Sequence, residues 1–295
     1  MAEQLSRVSA RLLSAQREHG RSRAARLVAV SKTKPAAAVL EAYAAGQRHF
    51  GENYVQELVD KAPELPGDIA WHFIGHLQSN KAKVVARIPN LFVVESVDSA
   101  KLATALDRCV PRERAPLRVM VQVNTSGEDS KSGVEPSEAT ELVRFVASEC
   151  PSLKVVGLMT IGRLGDVSPE CFQCLASCRD SVLAAAIQGV PGADEFELSM
   201  GMSGDFELAI QWGSTNVRVG STIFGDRDYG ASRGALADAA KALESCSISQ
   251  GQAALGDAET GAGGNAAAAV AATTTAKAAT APQLAAPDPS AKGAR

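Results

Sequence analysis

Short runs of apolar residues alternate with amphipathic stretches along most of the chain. The first run, Leu27 to Val30, predicts a short buried strand, and the Ala-rich stretch from Pro35 to Ala45 predicts the helix after it. The pattern then recurs along the chain. Later strands are predicted within residues 47–53, 70–74, 91–94, 118–124, 154–158, 195–198 and 216–220.

Strand–helix pairs in such a succession indicate parallel strands, because each helix returns the chain to the start of the next strand. We therefore predict one α/β domain over residues 1–230, a closed (β/α)8 barrel of the TIM type that leaves no strand at an edge. A doubly wound open sheet is the alternative. It is disfavoured because no G-x-G-x-x-G segment follows the first strand.

The composition of the chain changes after residue 230. Residues 231–249 predict a short helix, with Leu236 and Leu243 on one side. Beyond residue 250 there are no aromatic residues, and Ala, Gly, Thr and Pro dominate. Such a segment buries too little apolar surface to offset the entropy lost on ordering, so residues 250–295 are predicted to be a disordered, low-complexity tail.

The net charge of −3 provides no strong attraction to nucleic acid or membrane surfaces. No apolar run approaches the roughly 20 residues of a membrane-spanning helix. We therefore expect that the protein binds neither nucleic acid nor membranes, and that it is a monomer. The N-terminal residues are rich in Arg and poor in acids, as in transit peptides. An amphipathic helix is the preferred interpretation, because Leu5, Val8, Leu12 and Leu13 fall at helical spacing.

Six cysteines in a chain of this length, without a secretory signal, do not indicate a disulfide framework. Cys171, Cys174 and Cys178 share one face of a predicted helix, where they could ligate a metal ion. No histidine and no second cysteine pair stands near them, so we predict packed thiols and no metal site. Reduced thiols indicate a reducing compartment. We expect a cytoplasmic protein, with an organelle matrix as the alternative.

One lysine, Lys32, stands where the first buried strand turns into a helix. In α/β barrels the carboxyl ends of the strands carry the chemistry. A lysine amine against apolar walls there can lose its proton and form a Schiff base with an aldehyde. The alternative is a solvated loop lysine, and Lys34 is a competitor two residues further on.

Two glycine-containing segments, residues 198–205 and 213–225, combine small residues with hydroxyls at predicted strand ends or helix starts. Backbone N–H groups and Ser or Thr hydroxyls in such turns bind phosphate well. Strands 7 and 8 are also where barrels most often place a phosphate site. Either segment alone could be an ordinary turn. Both together, opposite Lys32, favour a phosphorylated aldehyde as the ligand.

Six segments stand in a recognisable order and spacing: Ala29–Pro35, Phe50–Glu57, Trp71–Lys81, Leu158–Ile161, Leu198–Ser203 and Val217–Gly225. They resemble the pyridoxal phosphate homeostasis protein family, and the resemblance runs from about residue 5 to Tyr229. Members of that family are similar to the N-terminal barrel of bacterial alanine racemase. They bind pyridoxal 5'-phosphate (PLP) without an established catalytic reaction.

The resemblance implies a role for each matching residue. Lys32 would hold PLP as a Schiff base, because the family motif uses its first lysine, and Arg218 would face the pyridine nitrogen. The phosphate would be bound by four small residues. These are Ser199, Ser203, Gly220 and Ser221. Asn53 and His76 would line the pocket, with a packed or surface histidine as the alternative for His76, whereas His49 and His72 are assigned structural roles.

Arg218 also bears on the expected activity. An arginine cannot accept a proton, so the ring nitrogen would stay unprotonated and the cofactor would be a weaker electron sink. A racemase then needs a second acid/base, which alanine racemase takes from a tyrosine of another domain in the partner subunit. None of Tyr43, Tyr54 and Tyr229 carries a matching motif.

The sequence therefore predicts a PLP-binding protein without catalytic residues. It would store the cofactor, deliver it to apo PLP-dependent enzymes and protect the cell from free aldehyde. A PLP-dependent amino-acid racemase or lyase is the alternative. A barrel that has lost its cofactor is a third reading, and the intact lysine and phosphate turns argue against it.

Overall fold

A computed structural model of the chain describes residues 1–20, 23–114, 116–128, 131–163 and 168–225. The predicted helix at 231–249 and the predicted tail at 250–295 lie outside the described residues. The same holds for residues 226–230, which end the predicted barrel domain.

Strands and helices alternate through the described ranges, as the apolar pattern predicts. The strands are β1 (Arg26–Val30), β2 (His49–Glu52), β3 (Ala70–Phe73), β4 (Leu91–Val97), β5 (Leu117–Gln122), β6 (Leu153–Met159), β7 (Glu197–Ser199) and β8 (Asn216–Val219). The helices are α1 (Ala2–Glu18), α2 (Ala36–Ala44), α3 (Val55–Lys61), α4 (Ala82–Ala86), α5 (Ala100–Asp107), α6 (Ala139–Glu149), α7 (Glu170–Ala184), α8 (Phe206–Gln211) and α9 (Ser221–Phe224).

The eight strands form a closed barrel in sequence order. Every neighbouring pair is parallel, and β8 closes the barrel by pairing with β1 from Arg26↔Asn216 to Ala29↔Val219. This confirms the predicted (β/α)8 barrel and excludes the open sheet. The strands are almost wholly buried because side chains fill the barrel on one face and contact the helices on the other.

The N-terminal helix α1 is amphipathic, as predicted. Leu5, Val8 and Leu12 are buried in the main core, and α1 packs against α8 and α9. Leu13 differs from the expectation, because 49% of it is exposed. Of the helices in the described ranges, none is long and apolar enough to cross a membrane.

Two glycines allow the close backbone approaches that shape the carboxyl end of the barrel. A Cβ atom on Gly75 would lie 1.9 Å from the carbonyl oxygen of Asn53, so the turn after β3 can press against the end of β2 only with glycine there. Gly201 has a φ of +93°, and a Cβ on it would lie 2.6 Å from Ala209 Cβ. Glycine therefore sets the turn between β7 and α8.

Candidate functional site

A cavity of about 360 Å³ opens at the carboxyl ends of the strands, where (β/α)8 barrels carry their chemistry. Its volume lies within the range of small-molecule sites. The cavity brings together six of the residues predicted from the sequence. These are Lys32, Asn53, Ser203, Arg218, Gly220 and Ser221. Val30, Ile74, Ile161 and Phe224 supply apolar wall.

Lys32 follows β1 in a loop that is held one residue before and one residue after it. The Ser31 hydroxyl donates to Glu52 Oε1 at 2.7 Å, and the Thr33 N–H donates to Glu57 Oε2 at 2.8 Å. Thr33 adopts a left-handed φ of 62°, a conformation that a β-branched residue keeps only where its surroundings enforce it. These anchors fix the backbone of the half-buried Lys32 at the cavity wall.

A buried ammonium group joins the two anchors of the Lys32 loop. Lys61 Nζ donates to Ser31 O at 3.0 Å, to Glu52 Oε1 at 2.8 Å and to Glu57 Oε2 at 2.7 Å. Burial raises the pKa of Glu52 to about 7, although the charge of Lys61 opposes the rise. Glu52 Oε2 is also buried, with no hydrogen-bond partner among the described residues. The loop that carries Lys32 therefore rests on three ionisable side chains, of which Lys61 and Glu52 are buried and Glu57 is partly exposed.

Arg218 in β8 lines the cavity although only 4% of it is exposed. Its Nη1 donates to Ser199 Oγ at 2.5 Å, and its Nη2 donates to the Thr160 carbonyl oxygen at 2.7 Å. Burial lowers the pKa of Arg218, while the charges of Glu95 and Asp205 act in the opposite direction. An arginine stays protonated in proteins, so Arg218 is a held hydrogen-bond donor in the cavity wall.

A second buried carboxylate, Glu95 in β4, is linked to Arg218 through Ser199. Glu95 Oε2 accepts from Ser199 Oγ at 2.5 Å, and its Oε1 accepts from Asn216 Nδ2 at 3.0 Å. His72 Nδ1 lies 2.6 Å from Oε1. Burial acts to raise the pKa of Glu95, but the hydrogen bond from His72 and the charge of Arg218 outweigh it, and the pKa is lowered overall.

The chain of contacts continues from His72 to His49, as His49 Nδ1 lies 3.0 Å from His72 Nε2. Burial lowers the pKa of His49 to about 3, with His72 and Arg26 acting in the same direction. His49 is therefore neutral at physiological pH. Neither histidine lines the cavity, and their structural roles stay a prediction.

The turns after β7 and β8 meet at the cavity. The Gly220 N–H donates to Ser203 Oγ at 3.2 Å, and the Met202 N–H donates to Asp205 Oδ1 at 2.6 Å. A Cβ on Gly220 would lie 3.3 Å from the Val30 carbonyl oxygen, so glycine permits a close approach to β1. Hydroxyls and backbone N–H groups in such turns are suited to bind a phosphate group.

Asn53 offers an independent observation about the ligand. Its Oδ1 is buried, and no described residue gives it a hydrogen bond. A buried polar group without a partner is costly, so a donor carried by a ligand would stabilise this wall of the cavity. An amine, a guanidinium, an unpaired amide oxygen and a hydroxyl-rich turn together fit a small phosphorylated aldehyde with a polar ring.

The structure does not bring His76 or Ser199 to the cavity wall. His76 leaves 56% of its side chain exposed, pairs with Asp98 at 3.3 Å and contacts Ser132 Oγ at 3.1 Å in a separate surface groove. Ser199 is fully buried inside β7, which extends to residue 199 instead of ending at the predicted residue 198. Ser199 does not line the cavity, and its hydroxyl contacts Arg218 and Glu95.

Two residues behind Arg218 were not predicted from the sequence: Thr160, which accepts directly from Arg218, and Glu95, which is linked to it through Ser199. A signal for Glu95 existed, since it is the single charged residue in an otherwise mostly apolar strand. Thr160 acts through its carbonyl oxygen, and a backbone contact of this kind leaves no mark in the sequence.

The cysteines Cys171 and Cys178 are buried, and Cys174 is packed against the core. In the described residues, no group of three or more His, Cys, Asp or Glu side chains could hold a metal ion.

The chain matches the family model described as alanine racemase, N-terminal domain, over residues 4–228. It is 54% identical to the pyridoxal phosphate homeostasis protein of Homo sapiens over 216 residues, which are 69% of this chain and 77% of the human protein. It is 45% identical to the protein of the same name from Vibrio cholerae over 238 residues, which are 77% of this chain and 96% of the bacterial protein.

The fold is likewise similar to solved structures. PipY of Synechococcus elongatus, solved with PLP bound, superposes with a TM-score of 0.65 at 35% sequence identity. The superposition covers 76% of this chain and 99% of PipY. The similarity therefore spans the whole barrel of the relative.

Proposed function

The chain belongs to the pyridoxal phosphate homeostasis protein family, and from that premise we propose that it binds PLP reversibly on Lys32 and so maintains the PLP pool of the cell. The observation that carries the proposal is the meeting of Lys32, Arg218 and the Ser203–Gly220 turn in one cavity. PLP requires three groups: an amine for its aldehyde, a hydrogen-bond donor for its ring nitrogen, and a turn that binds its phosphate.

Each residue has a distinct role in this proposal. Lys32 holds the aldehyde carbon as a Schiff base. Arg218 donates a hydrogen bond to the ring nitrogen, and Asn53 Oδ1, unpaired among the described residues, accepts one from the ligand. Ser203, Gly220 and Ser221 bind the phosphate through hydroxyl and backbone N–H groups. Bound PLP supplies a reactive aldehyde and a potential electron sink.

The surroundings of Lys32 support storage and delivery of the cofactor over catalysis. Arg218 cannot give a proton to the ring nitrogen, which weakens the electron sink. Of the described tyrosines, Tyr54 is 55% exposed and Tyr43 donates to Asp68 at 2.7 Å on the surface. Neither lines the cavity. We propose that the protein has no catalytic turnover, and that apo PLP-dependent enzymes receive its cofactor.

We also propose that the protein acts as a monomer in the cytoplasm. The cysteines of the described ranges, Cys109, Cys150, Cys171, Cys174 and Cys178, are free thiols, which suits a reducing compartment. Light scattering on the purified protein tests the monomer, and fractionation of cells tests the compartment.

Absorbance spectroscopy of the protein incubated with PLP tests the central proposal. Wild-type protein is expected to show a Schiff-base band that borohydride bleaches. Lys32→Ala should lose the band and keep its melting temperature, because a strand-end side chain contributes little to the core. Lys34→Ala is the matched control and should keep the band. A wild type without the band would refute the proposed function.

The competing assignment, a racemase or lyase, is tested by α-proton exchange of amino acids in deuterated water. We expect exchange no faster than with PLP alone. Exchange at many turnovers per minute would make the protein an enzyme.

A further inference from the structure

A continuous hydrogen-bonded path runs inside the barrel from the cavity to β2. Arg218 Nη1 donates to Ser199 Oγ at 2.5 Å, and Ser199 Oγ donates to Glu95 Oε2 at 2.5 Å. His72 then contacts Glu95 at 2.6 Å and His49 at 3.0 Å. The path joins β8, β7, β4, β3 and β2, so barrel closure is what assembles it.

The direction of each hydrogen bond at Ser199 follows from counting donors. Arg218 has only N–H donors, and Asn216 Nδ2 also donates to Ser199 Oγ, at 3.0 Å. Two donors fill the two lone pairs of the Ser199 hydroxyl. Its single hydrogen then has Glu95 Oε2 as its acceptor. The Asn216 amide is oriented in turn, because its Oδ1 accepts from Arg26 Nη1 at 3.3 Å.

Glu95 must accept at both oxygens for this pattern to hold. Oε2 accepts from Ser199, while Oε1 accepts from Asn216 and faces His72 Nδ1. Glu95 and Ser199 are both 0% exposed, so neither is in contact with bulk solvent. An ionised carboxylate satisfies all these donors, whereas a neutral amide in the same place cannot.

The same path fixes the guanidinium of Arg218. Ser199 and the Thr160 carbonyl oxygen take one N–H from each terminal nitrogen, which holds the planar group at two points. Glu95 supplies a buried negative charge one hydroxyl away from the buried cation, and buried charges without compensation are costly. Geometry and charge thus both depend on Glu95 and Ser199.

We propose that Glu95, acting through the Ser199 hydroxyl, is a positioning residue that aims Arg218 at the ring nitrogen of the bound cofactor. The inference rests on the proposed function, since it concerns how the PLP ring is recognised. It assigns Ser199 a role behind Arg218 in place of the phosphate contact predicted from the sequence.

Two conservative variants break the path. In Ser199→Ala the hydroxyl between Arg218 and Glu95 is lost. In Glu95→Gln one carboxylate oxygen becomes an NH2 group, which can only donate. If the NH2 faces Ser199, the Ser199 hydroxyl hydrogen loses its acceptor. If it faces the other side, it meets the Asn216 amide, which is itself a donor, and His72 Nδ1. Glu197→Gln is the matched control. Glu197 is also a buried carboxylate, 2% exposed, but it pairs with Arg23, Arg26 and Arg118 and forms no hydrogen bond with Ser199, Glu95 or Arg218. Its link to the path runs through Arg26 and Asn216.

The test compares PLP with 1-deazapyridoxal 5'-phosphate, in which a carbon replaces the ring nitrogen. Wild-type protein is expected to bind PLP at least about 10-fold more tightly than the deaza compound, because the deaza compound cannot accept the hydrogen bond from the charged Arg218. This ratio should fall below about 3-fold in Ser199→Ala and in Glu95→Gln and stay at its wild-type value in Glu197→Gln. A merely structural role would weaken both ligands equally and leave the ratio unchanged.

The possible outcomes separate the inference from the proposed function. Variants that keep the wild-type ratio would overturn the role of Glu95 and Ser199. A wild-type ratio near one would also overturn it, because it would mean that Arg218 makes no hydrogen bond to the ring nitrogen. In both cases the Schiff base on Lys32 would stand. If Glu95→Gln does not fold, Ser199→Ala decides alone. Failure of the wild type to form a Schiff base with either compound would refute the proposed function instead.

Discussion

Replacing Glu52 with Gln should change how the stability of the barrel depends on pH. The Glu52 carboxyl is buried beside the Lys32 loop, where it accepts from Ser31 at 2.7 Å and from Lys61 at 2.8 Å. Burial raises its pKa from 4.5 to about 7, with Lys61 opposing the rise. The folded protein therefore binds a proton at this site more tightly than the unfolded chain does.

The sign and the size of the effect follow from proton linkage. Because the pKa of this acid is raised in the folded state, its contribution to stability is fully present below pH 4.5 and is lost as the pH rises to about 7. The shift from 4.5 to about 7 corresponds to roughly 3 kcal/mol in the free energy of unfolding. Glu52→Gln removes the titrating group and should remove this loss.

Urea denaturation of both proteins between pH 4 and pH 8 measures the effect. The difference in unfolding free energy, Glu52→Gln minus wild type, should increase with pH by roughly 3 kcal/mol across this range. Glu41→Gln is the control, because Glu41 is exposed on α2, and its difference should stay flat. A flat difference for Glu52→Gln as well would refute the assignment of a raised pKa to Glu52.

Two further predictions concern the tail and the ring partner. A chain that ends at Ser249 should keep the melting temperature and the Schiff-base band of the full chain, and earlier unfolding or loss of the band would show that residues 250–295 pack as structure. Arg218→Glu should weaken PLP binding at least about 10-fold. It should raise α-proton exchange per bound cofactor, because a carboxylate permits protonation of the ring nitrogen. A substantial wild-type exchange rate that falls in the variant would instead favour the racemase interpretation.

The barrel could be predicted because its pattern is local. Each strand is a short apolar run, each helix is amphipathic, and parallel pairing follows from their alternation. The end of β7 could not be placed as well, and the difference of one residue moved Ser199 from a loop into the barrel interior. A single position matters in a strand, because successive side chains point to opposite faces.

The candidate site was predictable where a motif and a strand end coincide, as at Lys32 and Arg218. His76 also follows a strand, but the turn at Gly75 packs against Asn53 and leaves His76 in a separate groove. The partners of Glu95 come from distant parts of the chain, β3, β7 and β8. Their meeting depends on the register of the strands in the closed barrel, which no local pattern specifies.

The most direct test of the account is to find where the cofactor is attached. The protein is loaded with PLP, reduced with borohydride, digested and mapped by mass spectrometry. We expect the pyridoxyl label on Lys32, at the end of β1 in the wall of the cavity. A label on Lys34, or on a lysine elsewhere in the chain, would contradict it.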